Sequence, residues 1–210
     1  MTRTKGARGR AYDEKRAALL AKLQARLSEA DATRPSLRAL AEAADVSLPT
    51  LRHYFGGRDE VVAAVMEEIG ASGAPYMART RQPQGHFAES IQACVGDIAF
   101  GMTRTEFGTL MASGLVEGLL DSGSGPTFVR TMLEPTIAAV AERLRRHQEA
   151  GQMRAVDPRH AAIMLVSPLL LAVHHQHQLG GAHSHPLNLD AFAGDHADAF
   201  VRAFELPLAD

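Results

Sequence analysis

The sequence is poor in several residue types and patterns. Of 210 residues one is cysteine, Cys94, none is tryptophan, and aromatics make up 5%. A single thiol cannot form an intramolecular disulfide. Cys94 lies in an apolar helical pattern with Ile91, Val95 and Ile98 and no adjacent Lys, Arg or His, so it reads as a small core residue rather than a reactive thiol. Long hydrophobic runs are missing too. The longest, from Ala161 to Val173, is interrupted by Ser167 and Pro168 and falls short of the ~20 residues a membrane-spanning helix needs. The basic N-terminus has no apolar h-region of a secretory signal, so the expected location is cytoplasmic, with no membrane partner. There is no long alternating Val/Ile/Thr run and no Asn-Gly hairpin signal. Finally, a Gly-rich phosphate loop, a GxSxG elbow and a metal-hydrolase motif are all lacking, so neither enzymatic activity nor a cofactor is expected.

What is present is a globular mix, 46% apolar and 22% charged, unlike the composition of a disordered chain. The net charge is −2 but unevenly spread. Residues 1–60 hold 12 Lys/Arg against 8 Asp/Glu, a net +4, and residues 61–210 hold 10 against 16, a net −6. A basic end on an acidic body is compatible with an anion-binding head or with a solvated basic tail.

Helical periodicity runs through nearly the whole chain. The first helix is expected at about 12–30, with Leu20, Leu23 and Leu27 on one face. A second starts after Ser36, a good N-cap, and carries Leu37, Leu40, Ala41 and Ala44 before Asp45-Val46 breaks the pattern. A short third helix, about 48–54, has Ser47 as N-cap and Pro49 in its first turn, where a missing N–H does little harm. Gly56-Gly57 stops it. A fourth begins near Arg58 and carries Val62, Val65, Met66 and Ile69; residues 70–83 read as its end and a linker. Five more segments follow, at about 85–101, 105–121, 127–150, 158–179 and 189–205. Kinks are expected at Pro135 and Pro168, which interrupt the helical bond pattern. The fold class is therefore all-α, with about nine helices.

The informative segment is Ser36 to Phe55, a helix, a tight turn and a short helix. Leu40, Ala41, Ala44, Val46, Leu51 and Phe55 face inward, and Leu48, Pro49, Thr50, Arg52, His53 and Tyr54 face outward. This is helix-turn-helix geometry, although ordinary αα-corners share it. In residues and in position the segment resembles the TetR/AcrR family of transcription regulators. Ser36, Leu40, Ala41, Ala44, Val46, Ser47, Thr50, Leu51, Tyr54 and Phe55 match that family's signature, and Arg58 stands in for its lysine. The likeness covers roughly residues 12–67 and rests on architecture beyond. Three positions depart: Asp45 for a turn glycine, Pro49 for a glycine, and Arg52 for a tyrosine.

The resemblance implies a division into a DNA-binding domain at 1–60, with a basic arm at 1–11 (Arg3, Lys5, Arg8, Arg10), and an effector-binding and dimerisation domain at 61–210. It implies a homodimer on a palindromic double-stranded operator, acting as a repressor released by a small-molecule effector. By position, Ser36, Ser47, Tyr54 and Arg58 would hold phosphates, and Leu48, Pro49, Thr50, Arg52 and His53 would face base edges.

In the second half, Phe100, Met102, Phe107, Met111, Phe128, Met132 and Met164 are candidate pocket residues that could equally fill the core. Leu165, Leu169, Ala172, Phe192, Phe200, Val201 and Phe204 are the candidate dimer face. Five of the ten histidines, His174, His175, His177, His183 and His185, fall within 12 residues. His174 and His177 have an i, i+3 spacing that can chelate a metal, so a metal-responsive regulator is the alternative. No metal site is expected otherwise.

Overall fold

A computed structural model describes residues 5–29 and 34–207 of the chain, with side chains from residue 9 onward. Among these residues the secondary structure is helical, apart from one isolated bridge between Met153 and Glu205. The helices are α1 (Lys5–Leu27), α2 (Leu37–Ala43), α3 (Leu48–Phe55), α4 (Arg58–Ser72), α5 (Ala74–Thr80), α6 (Phe87–Arg104), α7 (Phe107–Leu120), α8 (Ser124–Phe128), α9 (Glu134–Glu149), α10 (Pro158–His177), α11 (Gly181–Ser184) and α12 (Leu189–Phe204). The nine expected helices are all there. The additional ones, α5, α8 and α11, are short and lie where breakers suggested loops. Pro75 does not prevent α5, because it occupies the first turn, where the helix needs no N–H. No helix of the described residues is long and apolar enough to cross a membrane.

The chain packs as two compact units. The first contains the described residues up to Ala71 together with Thr109–Thr131. The second contains Ser72–Gly108 and the residues from Met132 on. Packing therefore divides the chain differently from a single cut at residue 60. α4 lies with the first unit because Val61, Val62, Val65, Met66 and Ile69 are buried there.

In the first unit, α1 buries Leu19, Leu20, Leu23 and Leu27, four positions on one helical stripe. Ser113 on α7 donates its hydroxyl to Leu27 O at 3.0 Å, satisfying a carbonyl at the end of α1. α7 and α8 approach closely because Gly114 has no side chain: a Cβ there would lie 2.7 Å from the Phe128 ring. The kink expected at Pro135 takes a specific form. A π turn, Val129–Leu133, precedes the proline, and α9 then starts with Pro135 in its first turn. The π turn absorbs the bond that proline cannot make.

The second unit has a core of Phe87, Ile91, Cys94, Val95, Ile98, Val140, Leu144, Met153, Leu165, Val166, Leu169, Val173 and Phe200. Cys94 is in it, and burial pushes its thiol up to about 11. Arg143, on α9, is also buried: Nε donates to Thr80 O at 2.6 Å and Nη1 to Ser90 O and Oγ at 2.8 and 2.9 Å. Those bonds tie the last carbonyls of α5 to α6. His147, one turn further along α9, is 1% exposed and lies edge-on to Phe87.

Candidate nucleic-acid interface

The interface is built on two short helices in the first unit. Ser36 starts α2 by accepting from Ala39 N at 3.2 Å. After Ala44 the backbone turns sharply at Asp45, whose φ of 56° is the one positive value outside glycine among the described residues. Asp tolerates this left-handed conformation better than most residues, so the turn forms without a glycine. Val46 N then returns to Ala41 O at 3.0 Å. Ser47 caps α3 by accepting from Thr50 N at 3.2 Å, and its hydroxyl lies 2.8 Å from Thr50 Oγ1. Gly56, with φ 94°, ends α3, a value at which any side chain would be strained.

Leu40, Ala41, Ala44 and Leu51 are buried and fix the two helices to their unit. Ser36, Ser47, Pro49, Arg52 and His53 are exposed, and Leu48, Thr50 and Tyr54 are half-buried. Of the arm, Arg3 lies outside the described residues, as do the side chains of Lys5 and Arg8; Arg10 is exposed on α1.

Two features escape a reading of the sequence alone. The first is an aromatic cluster. Tyr12 on α1 stacks on Tyr54 with centroids 4.8 Å apart and meets His53 edge-on at 6.1 Å. One turn later Arg16 lies over the Phe55 ring at 5.1 Å. Positions 12 and 16 of α1 thus grip the end of α3.

The second is the surrounding of Arg58. Its Nε donates to Pro35 O at 2.8 Å, its Nη1 to Glu117 Oε2 at 2.8 Å, and its Nη2 to Glu117 Oε1. Arg34 Nε donates to the same carboxylate at 3.0 Å. Glu117 is almost fully buried. Burial alone would push its carboxyl up, but the Arg58 bonds and the charges of Arg58 and Arg34 outweigh that and hold it below the usual range. Arg58 was expected to hold a phosphate; its guanidinium is instead occupied inside the unit. Glu117 is the lone charged residue between Phe107 and Leu120, which marks it for pairing, but the sequence does not name Arg58 as the partner.

The other expected residues are spread over both units. Met111 and Phe128 belong to the first unit; Phe100, Met102, Phe107, Met132 and Met164 belong to the second. Met102, Met111, Phe128 and Met132 are buried, Phe107 is half-buried, and Phe100 and Met164 are exposed. Phe100 lines a cleft of about 530 Å³ between α6 and α12, with Val95, Ala99, Ala193 and the Arg104–Asp190 ion pair.

Leu165, Leu169, Ala172 and Phe200, expected to face a second subunit, are buried in their own unit's core, and Phe192, Val201 and Phe204 pack against it. α10 is apolar nearly all round, so periodicity could not separate its inner from its outer face. The face left exposed carries Ile163, Met164 and Leu171.

The histidines pair locally: His174 Nδ1 with Gln178 at 3.0 Å and His175 Nδ1 with Gln176 at 2.7 Å. His177, His183 and His185 are exposed. Among the described residues no three His, Cys, Asp or Glu converge as a metal site would require.

No protein-family model matches the sequence, and no curated protein matches it. Solved structures do. A putative TetR-family transcriptional regulator from Mesorhizobium loti superposes with a TM-score of 0.72 at 16% identity, covering 97% of this chain and 100% of that one. SmeT, the repressor of the Stenotrophomonas maltophilia multidrug efflux pump SmeDEF, superposes at 0.65 with 20% identity, covering 91% and 90%. FadR from Bacillus subtilis, in complex with stearoyl-CoA, superposes at 0.68 with 13% identity, covering 88% and 97%. An all-helical chain with a helix-turn-helix near its N-terminus and this match over nine-tenths of its length has the fold of the TetR-type transcriptional regulators.

Proposed function

We propose that this protein is a sequence-specific DNA-binding transcriptional regulator. It works as a homodimer on a palindromic duplex and is a repressor released by a small-molecule effector. The observation that carries this reading is α3: eight residues, capped by Ser47 and ended by Gly56, anchored by buried Leu51, and presenting Pro49, Arg52 and His53 to solvent. Those side chains suit base edges, with Arg52 able to reach a guanine bidentately. Ser36 accepts a capping bond and keeps its own O–H to give to a phosphate; Ser47 shares a hydroxyl bond with Thr50 at the same end of α3.

The fold likeness supports the regulator reading, and two neighbours lend it detail. One is described as a repressor and another was solved with an acyl-CoA bound. The effector belongs to the second unit in this reading. The α6–α12 cleft is within the size range of small-molecule sites.

The test is a gel shift with the DNA upstream of the protein's own gene and of neighbouring genes. A shift that survives excess random duplex and weakens steeply with salt is expected. No sequence-selective shift on any of these fragments would overturn the reading.

A further inference from the structure

Glu117 meets both flanks of the helix-turn-helix at once. Arg34 and Pro35 immediately precede Ser36, the cap of α2, and Arg58 begins α4 directly after Gly56-Gly57. Glu117 Oε2 accepts from Arg34 Nε at 3.0 Å and Arg58 Nη1 at 2.8 Å, Oε1 accepts from Arg58 Nη2, and Arg58 Nε closes the ring on Pro35 O at 2.8 Å. The side chain of Glu117 is 5% exposed and that of Arg58 17%, against 40% for Arg34. No α2 or α3 residue takes part. The four bonds close the stem of a loop whose tip is the exposed reading helix.

We infer that Glu117 is a positioning residue for DNA reading: one buried carboxylate on α7 pins the two ends of the helix-turn-helix and so sets the orientation of Arg52 and His53. This rests on the DNA-binding reading above. The physical reason is that α2 and α3 have seven and eight residues, too short to hold their own direction. Their placement comes from the buried stripe on one side and from where their ends are tied. A bidentate guanidinium–carboxylate pair fixes angle as well as distance, which a lone apolar contact does not. The same geometry commits Arg58 to the tie: three of its five N–H groups, one each on Nε, Nη1 and Nη2, already donate inside the unit.

The experiment uses the full chain, with Glu117→Gln, Arg58→Gln and the double variant. Sites are selected from a library of random duplexes, and each protein is measured on the selected and on random DNA, well below its melting temperature. Glu117→Gln is expected to lose at least tenfold on the selected site while random-DNA affinity holds or rises. Arg58→Gln should do the same, and the double variant should be no worse than either single one. Equal losses on both DNAs, additive losses in the double variant, or a salt slope lowered by about one in Arg58→Gln alone, would overturn the inference in favour of a phosphate role for Arg58.

Hydrogen exchange supplies an arm that needs no DNA. Amides of α2 and α3 should exchange faster in Glu117→Gln while those of α12 are unchanged. Unchanged α2 and α3 exchange overturns the positioning role by itself. A wild-type protein that selects no sequence overturns the DNA-binding reading, and the exchange result then still decides whether Glu117 holds the helix-turn-helix.

Discussion

In the first unit the buried charge is a carboxylate with two guanidinium partners. In the second it is a guanidinium, Arg143, whose bonds to the described residues run to carbonyl and hydroxyl oxygens of Thr80, Ser90 and Arg79. Both arrangements meet the same requirement, that a charge removed from water be fully bonded. They differ in what can undo them. The Glu117 group is an ion pair with one rim open to solvent through Arg34, so salt, acid or a competing anion can reach it. The Arg143 group is sealed, and its partners are dipoles that do not titrate.

The largest effect should come from the sealed group. Arg143→Ala strips donors from Thr80 O and from Ser90 O and Oγ, and leaves a cavity. A loss of about 4 kcal/mol is expected from the charged hydrogen bonds and the void, roughly 10 °C in melting temperature. Calorimetry showing less than ~1 kcal/mol would mean that solvent reaches the site and the contrast between units is false.

Next is Glu117→Gln, which leaves Arg58 half-paired. About 2 kcal/mol is expected by denaturant titration, below the range for a fully buried pair because Arg34 is partly solvated. The lowered pKa of Glu117 carries a pH signature. A carboxylate whose folded pKa lies below its ordinary 4.5 contributes stability that is present above that value and is lost as pH falls through the folded one. The first unit should therefore weaken below about pH 4.5, and Glu117→Gln should flatten that dependence.

The second unit should respond at milder acidity through His147. Burial lowers its pKa most, the charge of Arg143 lowers it further, and the bond to Gln152 opposes both. A histidine whose folded pKa lies below its unfolded value of about 6.5 contributes stability present above 6.5 and lost as pH falls through the folded value. Melting temperature should fall as pH drops below about 6.5, and His147→Phe should remove that slope. A slope unchanged in the variant would assign it to other groups.

The smallest effect is in the turn. Asp45→Gly should be neutral or stabilising by up to ~1 kcal/mol, whereas Asp45→Val should cost about that much. The exposed Lys22–Asp45 contact at 3.8 Å adds little. A valine variant as stable as wild type would show that the turn relaxes out of the left-handed region.

Local physics is legible in the chain. The caps at Ser36 and Ser47, the stop at Gly56, the break at Asp45 and the stripes of α1 and α4 depend on residues within one or two turns of each other, so spacing alone locates them. The departures are equally physical. The buried side of α10 could not be read from spacing because an all-round apolar helix has no preferred side until neighbours cover one. The seven large apolar residues of the middle helices share a chemistry but not a place. Arg58 could be recognised as a cation at a helix start, but its partner lies 59 residues away on another helix, and no periodicity carries that information.

By itself, then, the sequence determined the helix-turn-helix, its turn and the exposure of Pro49, Arg52 and His53, because hydrogen-bond capping and amphipathic spacing are short-range. The tertiary structure alone decided which charges are buried and against what. That choice depends on burial and on pairing between distant segments, and it gives Arg58 the Glu117 carboxylate as its partner.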